Sequence, residues 1–71
     1  MMSRQVLSEI TGTVWKVEVQ REAVVKVGDI ILVIESMKME IPVESPHAGL
    51  CRVLVIEGQA VQERELLATI E

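Results

Sequence analysis

A single lysine stands between two methionines in the middle of a 71-residue chain: Glu35-Ser36-Met37-Lys38-Met39-Glu40. A primary amine can attack a substrate itself, or it can be the acceptor that another enzyme acylates. The first role needs a deprotonated amine near neutrality, and bringing a lysine down from about 10.4 takes desolvation or neighbouring positive charge. The residues nearest in sequence are instead Glu35 and Glu40, and carboxylates favour the charged ammonium. The pattern therefore suits a passive acceptor, an amine handed to an enzyme that deprotonates and acylates it. Glu35 and Glu40 read as recognition or structural groups rather than acid catalysts. Met37 and Met39 share one side of an extended segment, opposite Lys38. Their soft, adaptable thioethers suit a recognition surface, with capping of the core as the plainer alternative. Ser36 reads as a small residue that fits the turn and is grouped with the recognition residues.

The other chemistry-bearing residues are isolated. His47 has no second ligand at metal spacing and reads as a loop histidine, so no metal site is expected. Cys51 stands beside Leu50 and reads as a buried small hydrophobe. A nucleophilic Cys51–His47 pair lacks an orienting third group, so no catalytic residue is expected. Trp15, the one aromatic residue, reads as a core-edge or surface-shielding side chain. A net charge of -4 and a pI near 4.9, with no basic cluster, exclude the electrostatic footprint of a nucleic-acid binder. No apolar run approaches the ~18 residues of a membrane span. No apolar region of a secretory signal follows Met1-Met2-Ser3-Arg4-Gln5, and a lone cysteine fits a reducing compartment. A cytoplasmic location is the expectation.

The hexapeptide interrupts two Val/Ile-rich runs, Ile30 to Ile34 and Ile41 to Val43, which places it at the tip of a hairpin. Nineteen residues are Val or Ile, and branching at Cβ favours strands over helices. A diverged repeat supports this reading. Sliding the chain by 36 positions lays Thr11–Glu35 over His47–Glu71, matching Val17 to Val53, Val19 to Val55, Val25 to Val61, Ile34 to Ile70 and Glu35 to Glu71. Two copies are too few for a stacked array. They predict two similar β units packed on each other about a pseudo-twofold axis, with the hexapeptide at their junction. Gly28-Asp29 and Glu57-Gly58 mark tight turns. Pro42 and Pro46 belong on an edge strand or at strand ends. Residues 62–68 could be a short helix by composition, but their counterpart carries Gly28-Asp29, so a turn and strand are expected. The chain is read as one domain over 1–71, with 1–5 a disordered N-terminus.

On these residues the chain resembles the biotin/lipoyl attachment family, and most closely its small stand-alone biotin carboxyl carrier members. Glu35-Ser36-Met37-Lys38-Met39 looks like the biotin-attachment signature. Gly12-Thr13-Val14, Gly28-Asp29, the run Ile30–Glu35, Ser45-Pro46 and Gly49 also fall where that family places similar residues. The resemblance covers about Val6 to Glu71. It implies an all-β fold, a flattened barrel-sandwich hybrid of two four-stranded antiparallel sheets with pseudo-twofold symmetry and the attachment lysine on a hairpin tip. It also implies a mechanism. A biotin protein ligase attaches biotin to Lys38, and the carrier then shuttles carboxybiotin between a biotin carboxylase and a carboxyltransferase as a non-catalytic subunit.

Departures bear on loop geometry. The Glu-Gly-Asp turns of the family read Arg21-Glu22-Ala23 and Glu57-Gly58-Gln59, and a positive φ at Glu22 would carry a steric cost. Arg64-Glu65 replaces the second Gly-Asp turn, and Glu9 stands where many relatives have proline. The extra thumb loop of some bacterial carriers has no counterpart. Two alternatives are a lipoyl carrier, with lipoate on Lys38 for acyl or aminomethyl transfer, and an unmodified β module binding a partner through its tip. Lipoyl acceptors typically place Asp before and Ala after the lysine, which Met37 and Met39 do not match.

Overall fold

Side chains branched at Cβ are stiff at χ1 and pack well on a pleated surface, and they set the local structure here. In the computed structural model, which describes residues 3–71, eight strands form and no helix. They are β1 (Arg4–Leu7), β2 (Gly12–Val17), β3 (Glu22–Val25), β4 (Ile30–Ser36), β5 (Met39–Glu44), β6 (Gly49–Val53), β7 (Ala60–Val61) and β8 (Leu66–Ile70). Two four-stranded sheets result, in the orders β1-β8-β6-β3 and β5-β4-β2-β7. Every pairing is antiparallel. The all-β, two-sheet expectation holds. Among the described residues no helix is long and apolar enough to cross a membrane.

The two halves do not pack side by side as separate units; they interlock. Each sheet takes two strands from each half. Within the first half only β2 and β4 pair, and within the second half only β6 and β8. An isolated two-stranded ribbon is marginal in water, so neither half could hold its fold alone. Interlocking gives each half the strands that cover its open edges.

The structural repeat also has two offsets rather than one. Val17–Leu32 and Val53–Ala68 are equivalent pairs, with Val53 36 positions after Val17. Upstream, Gln5–Thr69 and Val6–Ala68 correspond to Pro42–Val33 and Val43–Leu32, 37 positions apart on β1 and β5. Trp15 accounts for the extra residue. The ladder between β2 and β4 shifts register between Val14 and Lys16, a β-bulge that lets Trp15 stand outside the repeat. With the offset corrected, Ser8 matches Ser45 and Gly12 matches Gly49. Both serines are buried, and each hydroxyl donates to the carbonyl two residues on, Ser8 to Ile10 and Ser45 to His47, at 2.6 Å.

Ile31, Leu32, Ile34, Leu67, Ile70, Val14, Val61 and Cys51 form the centre of the core between the sheets. Trp15 lies outside it, 47% exposed. Pro42 sits in β5, at a sheet edge, where its missing donor is tolerated. The turn, not a helix, occupies the segment before β8. Asp29 Oδ2 accepts from the Lys26 amide at 2.8 Å, and Glu65 Oε1 accepts from the Gln62 amide at 2.9 Å. These are the same turn in the two halves. Gly28 adopts φ 92° in the first, whereas Arg64 takes φ 73° in the second, a conformation that costs a non-glycine residue about 1–2 kcal/mol. The strain expected at Glu22 is absent, because Glu22 opens β3 in extended backbone opposite Arg52. It falls on Arg64 instead.

Within the stretch 1–5 expected to be disordered, Arg4 and Gln5 belong to a strand. Met1 and Met2 lie outside the described residues, but Arg4 and Gln5 pair with Ile70 and Thr69 in β1. Their backbone groups satisfy a side of β8 that would otherwise be an open edge.

Candidate functional site

Strands β4 and β5 form the hairpin that carries the hexapeptide, with Val33–Pro42, Ile34–Ile41, Glu35–Glu40 and Ser36–Met39 as successive pairs. Only Met37 and Lys38 remain for the loop, at φ 53° and 64°. Positive φ at both central residues defines a type I′ turn, whose twist matches the flanking strands and which normally favours Asn-Gly. Two residues with side chains hold it here, at about 1–2 kcal/mol each. Strain of this kind is kept where the surroundings over-determine the backbone.

The turn changes the reading of the methionines. Met37 is not in an extended segment opposite Lys38; the two share the turn, and Met39 opens β5 across from Ser36. Met37 is 90% and Met39 61% exposed, so neither caps the core. Lys38 is exposed as well. A groove of about 410 Å³ runs between the β1 and β5 edges, lined by Val6, Ile34, Ile41 and Pro42 among others, and none of the hexapeptide lines it. Ion pairs among the described residues join Arg52 to Glu22 and to Glu71, which leaves the Lys38 amine without a carboxylate partner.

The root of the hairpin is pinned from the side. Ser36 Oγ donates to the Thr11 carbonyl at 2.9 Å, and Thr11 Oγ1 accepts from the Glu63 amide at 3.1 Å. Ser36 is thus more than a small residue that fits the turn, and Thr11 ties the tip to the second half of the chain. Next to it, Gly12 allows a close backbone crossing. A Cβ there would collide with the Glu35 carbonyl and lie 2.8 Å from Ile34 Cγ2. Gly49 meets the Glu71 carbonyl in the same way. Sequence reading missed Thr11 as a support for the tip and left the tight crossing at Gly12 unseen. The signal lay in Ser8/Ser45 and Gly12/Gly49, which recur at 37 positions and vanish in a search at 36.

Glu35 and Glu40 face each other across β4 and β5, on the outer surface of the sheet. Like charges placed directly opposite weaken a ladder, so the pair is not there for stability. The remaining candidates are elsewhere. His47 Nδ1 accepts from Arg4 Nη1 at 3.1 Å. Cys51 is fully buried, and burial pushes its thiol above the ordinary thiol value. A reactive cysteine needs the opposite shift and access to solvent, which removes the Cys51–His47 pair as a nucleophile. Among the described residues no group of three or more His, Cys, Asp or Glu side chains is placed to hold a metal ion.

Comparison with known proteins gives a consistent picture. Residues 2–70 match the biotin/lipoyl family, described as "biotin-requiring enzyme". The chain is 39% identical over 70 residues to the biotinylated protein TB7.3 homolog of Mycobacterium leprae, covering 97% of this chain and 99% of that protein. It is 38% identical over 69 residues to pyruvate carboxylase of Aspergillus niger, which is 96% of this chain but 6% of the enzyme. Among solved structures, urea carboxylase of Kluyveromyces lactis superposes with a TM-score of 0.92 at 30% identity, over 100% of this chain and 6% of that one. An all-β sandwich of this topology, matched along nearly its whole length, makes the chain a member of the biotin/lipoyl attachment family.

Proposed function

We propose that residues 1–71 act as one biotin carrier domain and that Lys38 is its attachment point. One observation carries the reading: the Lys38 amine stands free at a two-residue turn, on a hairpin whose root is fixed by Ser36, Thr11 and Gly12. Such an amine fits an amide-linked group, because acylation removes a charge that no carboxylate among the described residues pairs with. When bound, biotin supplies a ring nitrogen that carries a carboxyl group, on an arm with a reach on the order of 10–15 Å.

The chain's own residues present, orient and hold. The rigid turn keeps the amine clear of the sandwich, so the active site of a biotin protein ligase can close around it. Met37 and Met39 offer it a soft apolar surface, and Glu35 and Glu40 offer charge. Tethering then keeps the carried group at high effective concentration for a biotin carboxylase and a carboxyltransferase, without loss to bulk solvent. Catalysis in this scheme belongs to those partners.

Incubation with purified biotin protein ligase and biotin, and separately with a lipoate ligase and lipoate, tests the proposal. Wild-type protein should gain one biotinyl group and the Lys38→Arg variant none. Lipoate accepted in place of biotin would favour the lipoyl alternative. No gain from either ligase would leave an unmodified binding module.

A further inference from the structure

A tip of four residues is too small to hold a large enzyme in register for acyl transfer. Specific protein interfaces bury about 800 Å² on each side and involve roughly 20–30 residues. The footprint must therefore continue from Lys38 down one surface of the sandwich.

One surface is built for this. On the outer face of the β5-β4-β2-β7 sheet, Thr13, Glu35 and Glu40 form one row across the strands, and Lys16, Val33 and Pro42 form the next. Trp15 joins the second row because the bulge places it beside Lys16. At about 3.3 Å per residue, that row lies roughly 15 Å from the turn. Trp15 is the only aromatic side chain in the chain, stands 47% exposed, and belongs to the one residue that breaks the internal repeat. A β-bulge re-aims a side chain and is used next to functional sites. Tryptophan leads the residue types that dominate binding energy. The second half reaches the same sheet geometry without a bulge, so folding does not require one. Of the other exposed apolar residues, Val24 lies on β3 of the opposite sheet, Val27 at the turn before β4 and Leu54 beyond β6, while Ile30 opens β4 at the end of this sheet away from the tip.

We propose that this face is the docking surface for the ligase that modifies Lys38, with Trp15 as its anchor. The partner surface has an apolar pocket for the indole and, nearer the tip, cationic side chains opposite Glu35 and Glu40. Those cations relieve the like-charge pair that the free protein leaves uncompensated. This inference rests on Lys38 being the acceptor, and its test separates the two.

Protein labelled with 5-fluorotryptophan gives a single ¹⁹F resonance, because the chain has one tryptophan. Titration with purified biotin protein ligase should shift or broaden that resonance. In steady-state biotinylation, Trp15→Ala should raise KM for the carrier about fivefold or more and leave kcat within about twofold, as expected for lost binding that is not specific to the transition state. Val24→Ala, on the other sheet, should leave both unchanged. An unmoved wild-type resonance overturns the proposal even if KM rises, since the variant has then only lost its fold. An unchanged KM overturns it even if the resonance moves. In both cases biotin found on wild-type Lys38 leaves the attachment reading standing, whereas its absence overturns both.

Discussion

Replacing Met37 by glycine should make the protein more stable and a poorer substrate at the same time. Met37 and Lys38 both hold positive φ, at 53° and 64°, and each left-handed residue costs about 1–2 kcal/mol. Glycine at 37 removes one of these costs but loses more freedom on folding, by about 0.5–1 kcal/mol. The net gain is about 0.5–1 kcal/mol. Met37 is 90% exposed, so its removal costs almost no packing. A domain of this size shifts Tm by about 4–8 °C per kcal/mol, which predicts a rise of roughly 2–8 °C by far-UV circular dichroism. The urea midpoint should rise in parallel with an unchanged m-value. Met37→Asn should move both in the same direction, because asparagine tolerates the left-handed region. Biotinylation by the ligase should slow for both variants through loss of the thioether contact. A Tm that stays level or falls would refute the reasoning, since the turn would then not be strained.

Three further outcomes follow from the packing. Gly12→Ala forces a Cβ onto the Glu35 carbonyl and to 2.8 Å from Ile34 Cγ2; it should lower stability by about 1–3 kcal/mol, and hydrogen exchange should quicken at Glu35–Met39. Arg64→Gly relieves the φ of 73° and should raise Tm by roughly 2–8 °C, on the same balance of left-handed strain against glycine entropy. Burial raises the Cys51 thiol, so the folded state keeps its proton where the unfolded chain has lost it. Stability should then be flat below the ordinary thiol value of about 8.5 and fall as pH rises above it, a slope that urea titrations should find missing in Cys51→Ala.

The parts of the fold legible in the sequence were those written in local chemistry. Excess Val and Ile announced strands, Gly28-Asp29 and Glu57-Gly58 announced turns, and the matched pairs from Val17 onward announced the symmetry. The interlocking of the halves was not legible, because strand exchange between equivalent units leaves the residue pattern of each unit unchanged. Residue-level symmetry upstream of Trp15 was hidden by a single inserted residue, which displaced Ser8 and Gly12 from their partners Ser45 and Gly49. At the tip, the motif located Lys38 but not its backbone. Met-Lys is an unusual pair for a type I′ turn, so the two methionines read as one side of an extended segment at the hairpin tip, where the structure has two left-handed residues. The hydrogen bond from Ser36 to the Thr11 carbonyl is a tertiary contact across 25 residues, which no local pattern encodes.

Peptide mass mapping after reaction with biotin protein ligase tests the central claim most directly. The account predicts one biotinyl group, on the peptide containing Lys38, with Lys16 and Lys26 unmodified and Lys38→Arg unlabelled although folded. Biotin on another lysine, or a label that survives Lys38→Arg, would contradict it.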